Sequence, residues 1–231
     1  WGGEAVLTDR DRVYRALEGR ALDRFPVAVP YIMLLQEDHW CELTQQPAWT
    51  FYQWLIQEPA EHVKAYLDFD RLLPFDITQP VRAAPRAERE ALEVIERDGR
   101  YYYRNRRSGD MQPLILDLHQ RHGGPNQAQR VFDRDDARRL VEIVPAEELL
   151  ASGVFDYIVE AKRTLGDRKF LMNGVIGTFY QCTWYVGESN LFVMLYDAPD
   201  LIGYLSERIL EKTLEEIHAL AAVGHDAIYI D

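Results

Sequence analysis

Phe170-Leu-Met-Asn-Gly-Val-Ile-Gly177 decides the fold class. Phe170–Gly174 is apolar and of strand length, and the chain runs at once into a helical stretch, Gly177–Val186. The same succession recurs downstream. Pro199–Val223 carries Leu201, Tyr204, Leu205, Ile209, Leu214, Ile217 and Leu220 on one broad face, Gly224 stops it, and Ala227–Ile230 starts another apolar run. Upstream, Phe25–Ile32, with Pro26 and Pro30 near its start and end, and Leu72–Ile77 have the same character. Strands that are apolar nearly throughout and alternate with helices predict an α/β fold with a parallel sheet covered by helices. Four such strands are half of an eight-stranded (β/α)8 barrel. The expectation is one barrel domain over residues 1–231, truncated after about four strands. Trp1 at the start and a strand at the finish both look like cut ends.

Between these runs, Thr8 predicts a helix N-cap with Val13, Ala16 and Leu17 on one face and Gly19 as the stop. Residues 47–69 read as two helices divided at Pro59. Asp98-Gly99 between alternating segments (91–97 and 100–106) predicts a β-hairpin, the centre of an insertion over about 86–112. Tyr101, Tyr102 and Tyr103 suit a ribbon laid across another surface. Residues 114–129 read as a loop, Asp133 as the cap of a helix over 135–144, and 153–165 as a further helix.

Composition narrows the function. Twenty-six basic residues against 38 acidic ones leave a net charge of −12, which repels nucleic acid and anionic membranes. Two cysteines, Cys41 and Cys182, make no disulfide framework or Cys-rich zinc module. Neither a membrane span nor a secretory leader is visible, so the chain is expected in the cytoplasm.

Active sites of parallel sheets form at the carboxyl ends of the strands. That rule selects Tyr31 and Met33 after the first run, Asp76 and Thr78 after the second, the turn from Asn173 to Tyr180 after the third, and Asp231 after the fourth. Asp76 is the sharpest, because a carboxylate ending an apolar strand needs a partner or a task. Gly174-Val-Ile-Gly177 has the look of a small phosphate-binding turn without a third glycine or a Lys-Ser/Thr tail. Glu37–Glu42 is rich in metal-ligand types but lacks zinc spacing and reads as a solvated loop. His119 and His122 fall in a polar loop, while His62 and His218 fall in helices. The aromatics of 179–185 either line a flat ligand's pocket or pack on the sheet.

Several segments together resemble the uroporphyrinogen decarboxylase superfamily. They are Arg12-Val-Tyr-Arg-Ala-Leu-Glu-Gly19 with Asp23-Arg24-Phe-Pro-Val27, the Gly174–Gly177 turn through Tyr185-Val-Gly-Glu188, Leu195-Tyr-Asp-Ala-Pro-Asp200, and Ala222–Asp231. The resemblance implies a (β/α)8 barrel of which this chain is the N-terminal two-thirds. It implies that Asp76 matches the decarboxylase aspartate that gathers pyrrole NH groups, and Tyr185 the decarboxylase tyrosine. The decarboxylases' Arg-Gln-Ala-Gly-Arg run has Tyr31-Ile-Met-Leu-Leu35 as its counterpart, without either arginine. A poly-carboxylate substrate would then be left unpaired.

The resemblance is therefore nearer the branch that moves methyl groups from a corrinoid to a thiol, with zinc activating the thiolate. Its zinc ligands, a His-x-Cys pair and a later Cys, would lie beyond Asp231. Asp76 and Tyr185 would be catalytic, and Tyr31, Met33, Thr78, Arg82, Gly174, Gly177 and Asp231 would line the site, with a corrinoid carrier protein as a partner. The alternatives are a tetrapyrrole decarboxylase of porphyrin biosynthesis anchored by Arg82, which needs no cofactor, and a non-catalytic corrinoid or tetrapyrrole binder.

Overall fold

The Thr8 hydroxyl accepts a hydrogen bond from the Asp11 amide at 3.0 Å and so starts the first helix, α1 (Asp9–Leu17). Gly19, at φ +66°, follows its end. The structure, a computed structural model, describes residues 7–29, 32–72, 75–114 and 130–231. After α1 come α2 (Ile32–Asp38), α3 (Trp40–Thr44), α4 (Thr50–Trp54), α5 (Pro59–Leu72), β1 (Ile77–Thr78) and α6 (Arg86–Ala91). A ribbon of β2 (Leu92–Arg97), β3 (Arg100–Asn105) and β4 (Met111–Pro113) follows. The described chain then continues with α7 (Arg134–Leu140), α8 (Ala146–Ser152), α9 (Asp156–Leu165), β5 (Phe170–Val175), α10 (Thr178–Val186), α11 (Glu188–Asp197), α12 (Pro199–Val223) and β6 (Ala227–Ile230).

The result is a mixed α/β fold with a three-stranded sheet in the order β1-β5-β6. Strands β1 and β5 are parallel, with Ile77 opposite Phe170 and Thr78 opposite Leu171. Asp226 N donates to Leu171 O and Asp231 N to Val175 O, so β6 runs the same way.

Two of the expected strands differ from their sequence reading. The described residues of the run Phe25–Ile32 form no strand: Phe25 is 86% exposed, α2 already begins at Ile32, and among them only Val27 O accepts from the amides of Asp76 and Ile77. Pro26 has no N–H to give a ladder, which is the physical reason. Of the described residues of the run 72–77, Leu72 still belongs to α5 and strand begins only at Ile77, in β1 (Ile77–Thr78). Asp76 therefore precedes β1 instead of ending a strand.

The chain forms two units. The first comprises Trp1–Leu116, Ser152–Asn173 and Val223–Ala227. Its core packs Trp40, Phe51, Trp54, Val63, Tyr66 and Phe69 against Ala161, Leu165 and Leu171. Fully burying one such large apolar side chain contributes about 1.5–3 kcal/mol. The ribbon turns through Asp98 and Gly99, both at positive φ, and pairs Arg97 with Arg100, as a two-residue primed turn requires. Trp49 stacks on Tyr101 at 5.5 Å, and the Tyr103 hydroxyl donates to the carbonyl of Tyr52 at 3.1 Å.

The second unit comprises Asp117–Ala151, Gly174–Ala222 and Ile228–Asp231. Its core gathers Val131, Ala137, Val141, Cys182, Val186, Leu191, Ile202, Leu205 and Ile209. Asp133 caps α7 by accepting from the Asp136 amide at 2.8 Å. Helices α8 and α11 have no counterpart in the sequence reading. Among the described residues, no helix is long and apolar enough to cross a membrane.

Candidate functional site

Helix α1 packs at the amino ends of the strands in the first unit, and its charges decide what that end can do. Arg12 is buried at 4% exposure, where the sequence pattern put a solvent-facing residue, and Leu17 is 73% exposed instead. The Arg12 guanidinium donates to Asp23 (2.7 and 2.8 Å), Asp9 (2.9 Å) and Asp76. Asp76, fully buried, also accepts from Arg24 at 2.6 and 2.9 Å and from the Val27 amide at 2.7 Å. Burial pushes the Asp76 carboxyl up, but its bonds from Arg24, Val27 and Arg12 outweigh that and hold it below the usual range.

Asp226, immediately before β6, repeats the arrangement. It accepts from Arg10 at 2.8 and 3.0 Å, from the Tyr14 hydroxyl at 2.9 Å and from the Leu171 amide at 2.9 Å. Burial raises this carboxyl, and the same partners bring it down on balance. Lys169 closes the set with a 2.6 Å pair to Asp9 and a 2.6 Å bond to the Phe75 carbonyl.

Asp76 thus lies at the closed end of the sheet. Its carbonyl accepts from the amide of Phe170, the first residue of β5, so it is level with that strand's start. The sequence reading had put it at the carboxyl end. The reason for the difference is that β1 is only two residues long and begins after Asp76.

At the carboxyl end of β1, Thr78 is buried and the Gln79 amide donates to the Tyr66 hydroxyl at 3.3 Å. Asn173 bridges outward from β5: its Nδ2 donates to Pro80 O at 2.8 Å, and its Oδ1 pairs with His225 Nε2 at 2.7 Å. Arg82 is exposed and lies 5.5 Å over the Phe155 ring. Met33, on α2, is 37% exposed. Tyr31, His119 and His122 fall outside the described residues.

Within the second unit, Gly174 lies inside strand β5, not in a turn. A Cβ there would run into the Tyr229 ring. Gly177 brings its amide to 2.6 Å from the Asp231 carbonyl, and a Cβ would sit 2.8 Å from that oxygen. Both glycines therefore have a packing reason within the sheet. Tyr185 is 8% exposed, lies under the Arg130 guanidinium at 5.6 Å, and has its phenol raised by burial. Cys182 is fully buried, and burial lifts its thiol to about 11. Of the same helix's aromatics, Phe179 and Tyr180 are half or more exposed, so α10 packs one face and presents another.

Several polar residues escaped the sequence reading. His225, the partner of the already selected Asn173, is one; Gln181 is another, 2% exposed and donating to Ile176 O and Thr213 Oγ1. The third is Gln36, 1% exposed, whose two side-chain amide atoms have no hydrogen-bond partner among the described residues. For Gln181 and Gln36 a signal existed: a polar residue at a position whose neighbours in the periodic pattern are buried. A cleft of about 320 Å³ between α3 and α5 is lined by Trp40, Leu43, Thr44, Gln46, Ala65, Asp68 and Phe69, none of them a residue the sequence had selected.

Glu37–Glu42 is helical instead of a loop, with Trp40 buried in the core and His39 paired to Glu42 at 2.9 Å. Among the described residues, no group of three or more His, Cys, Asp or Glu side chains could hold a metal ion.

No protein-family model and no curated protein matches the chain. In structure it is similar to a methyltransferase from Methanosarcina mazei, with a TM-score of 0.54 at 18% identity. The likeness covers 97% of this chain and 58% of that one. It is a likeness of fold. The chain spans little more than half the length of that protein.

Proposed function

We propose that the chain belongs to a methyltransferase built on a (β/α)8 barrel, one that takes a methyl group from a corrinoid and passes it to a thiol. The observation that carries this reading is the fold shared over 97% of the chain with a protein described as a methyltransferase. The first segment adds support. Residues 25–38 contain no arginine, Met33 and Leu34 face outward, and the neighbouring Arg24 is engaged with Asp76. A flat, largely uncharged macrocycle suits such a surface better than a poly-carboxylate does.

The zinc implied for thiol activation finds no ligand set among the described residues. This chain's own contribution is Thr78 at a strand end and Tyr185, whose buried phenol stays protonated and able to donate. The decarboxylase reading has less support. It asks Asp76 to gather pyrrole NH groups, and both Asp76 oxygens already accept from Arg12, Arg24 and Val27.

The test is incubation of the full-length protein with methylcobalamin and a panel of thiols, with and without added zinc, followed by visible absorbance. Loss of the methylcobalamin spectrum with formation of a thioether is the expected result. No demethylation with any thiol would overturn the proposal.

A further inference from the structure

Helix α2 is built inside out. Its sequence, Ile32-Met-Leu-Leu-Gln-Glu-Asp38, offers four apolar residues next to one amide, and the helix buries the amide. Ile32 and Gln36, one turn apart, are its buried residues, while Met33 and Leu34 are 37% and 38% exposed. A leucine or methionine at 36 would complete the inward stripe and leave nothing unsatisfied. Glutamine there brings an acceptor and two N–H donors into a site with 1% exposure, and neither Oε1 nor Nε2 has a partner among the described residues. Buried side-chain amides are almost always paired, so an amide with both atoms free marks a place where something else binds.

We propose that Gln36 is a ligand-contact residue whose amide pairs with a carboxamide on the bound ligand. The chemistry of the group selects that partner. A primary amide presents a donor beside an acceptor, and another carboxamide answers both at once. A carboxylate accepts only, and would set its oxygen against Gln36 Oε1. Corrinoids carry carboxamide arms around their rim, so this inference rests on, and sharpens, the corrinoid reading above. It also accounts for the exposed Met33 and Leu34, which lie three and two residues before Gln36 on the same short helix. Local rules broken together in this way are characteristic of binding sites.

The experiment compares the full-length protein with its Gln36→Met variant, which keeps the side chain's length and removes its polar atoms. Thermal unfolding is measured without ligand, and cyanocobalamin binding is measured by calorimetry. A midpoint about 2–4 °C higher in the variant, with cyanocobalamin bound about tenfold more weakly, supports the proposal. A lower midpoint overturns it, because the amide then has an internal partner. A higher midpoint with unchanged binding also overturns it, leaving water as the occupant. If the wild-type protein binds no cyanocobalamin, the ligand named here falls together with the corrinoid reading. If it binds cyanocobalamin but fails to demethylate methylcobalamin, the reaction falls and the Gln36 contact stands or falls on the other two readouts.

Discussion

Acidification from pH 7 to pH 5 should destabilise the first unit by about 2 kcal/mol through one side chain, His62. The imidazole lies between the rings of Trp54 and Tyr157, with centroids 4.1 and 3.7 Å away and tilts of 16° and 6°. It is 1% exposed, Nδ1 bonds the Trp54 carbonyl at 3.0 Å, and Nε2 has no partner among the described residues. Burial is the main cause that pushes its pKa down to about 4, and the nearby Arg89 charge adds to it against the pull of the Trp54 carbonyl.

The unfolded chain binds this proton near pH 6.5, so it takes up more protons than the folded chain between pH 6.5 and pH 4. Stability is therefore present above pH 6.5 and is lost as pH falls toward 4. Integrating between those values gives about 2 kcal/mol by pH 5 and a limit of about 3 kcal/mol below pH 4. The lowered carboxyls of Asp76 and Asp226 act only near and below pH 4, outside this window. Urea unfolding at pH 7 and pH 5, on wild type and on His62→Phe, isolates the effect. Phenylalanine keeps the stack and cannot titrate. At a urea dependence of about 2 kcal/mol/M the wild-type midpoint should fall by about 1 M, and the variant's by much less. Equal falls in both proteins would refute the assignment.

Asp76→Asn should cost about 3 kcal/mol, because it leaves the Arg12 guanidinium, 4% exposed, short of a charge partner. A variant of unchanged stability but lost turnover would instead put Asp76 in contact with substrate. Gly174→Ala drives a methyl group into the Tyr229 ring and should cost about 1–3 kcal/mol in chemical denaturation, largely restored by also making Tyr229→Leu. No restoration would show that the glycine serves another purpose. Thiol labelling of the native protein should modify Cys41, which is exposed, and spare Cys182, whose buried thiol sits at about 11; both should react after denaturation. Native labelling of Cys182 at a comparable rate would contradict its packing.

What could be read from the sequence was whatever depends on local periodicity. The Thr8 and Asp133 caps, the Asp98-Gly99 hairpin, the helix Pro199–Val223 and the strand Ala227–Ile230 all form where the pattern puts them. Misreadings came where long-range partners override local preference. Phe25–Ile32 looks like a strand by composition, yet proline takes away its ladder and only Val27 bonds to its neighbour. Arg12 looks like a surface residue, yet acids at positions 9, 23 and 76 draw it inward. Asp76 was correctly singled out as a carboxylate that must have a partner, and those partners stand at the end of the sheet opposite to the one expected. Periodicity marks Gln36 as the polar break in the inward stripe of its helix, but His225, just past Gly224, has meaning only through its pairing with Asn173.

The ties of α1 have a consequence for how the protein comes off the ribosome. Arg10 and Tyr14 of this helix find their anchor in Asp226, more than two hundred positions later. At about 5–20 residues per second, roughly 10–40 s pass before that anchor has even been synthesised. The first unit is likewise completed by Val223–Ala227, so it cannot close before that segment has been made. Until then Arg10 and Tyr14 lack the carboxylate that ties them to the start of the last strand. A helix made early relative to its anchor is fastened only when that anchor arrives.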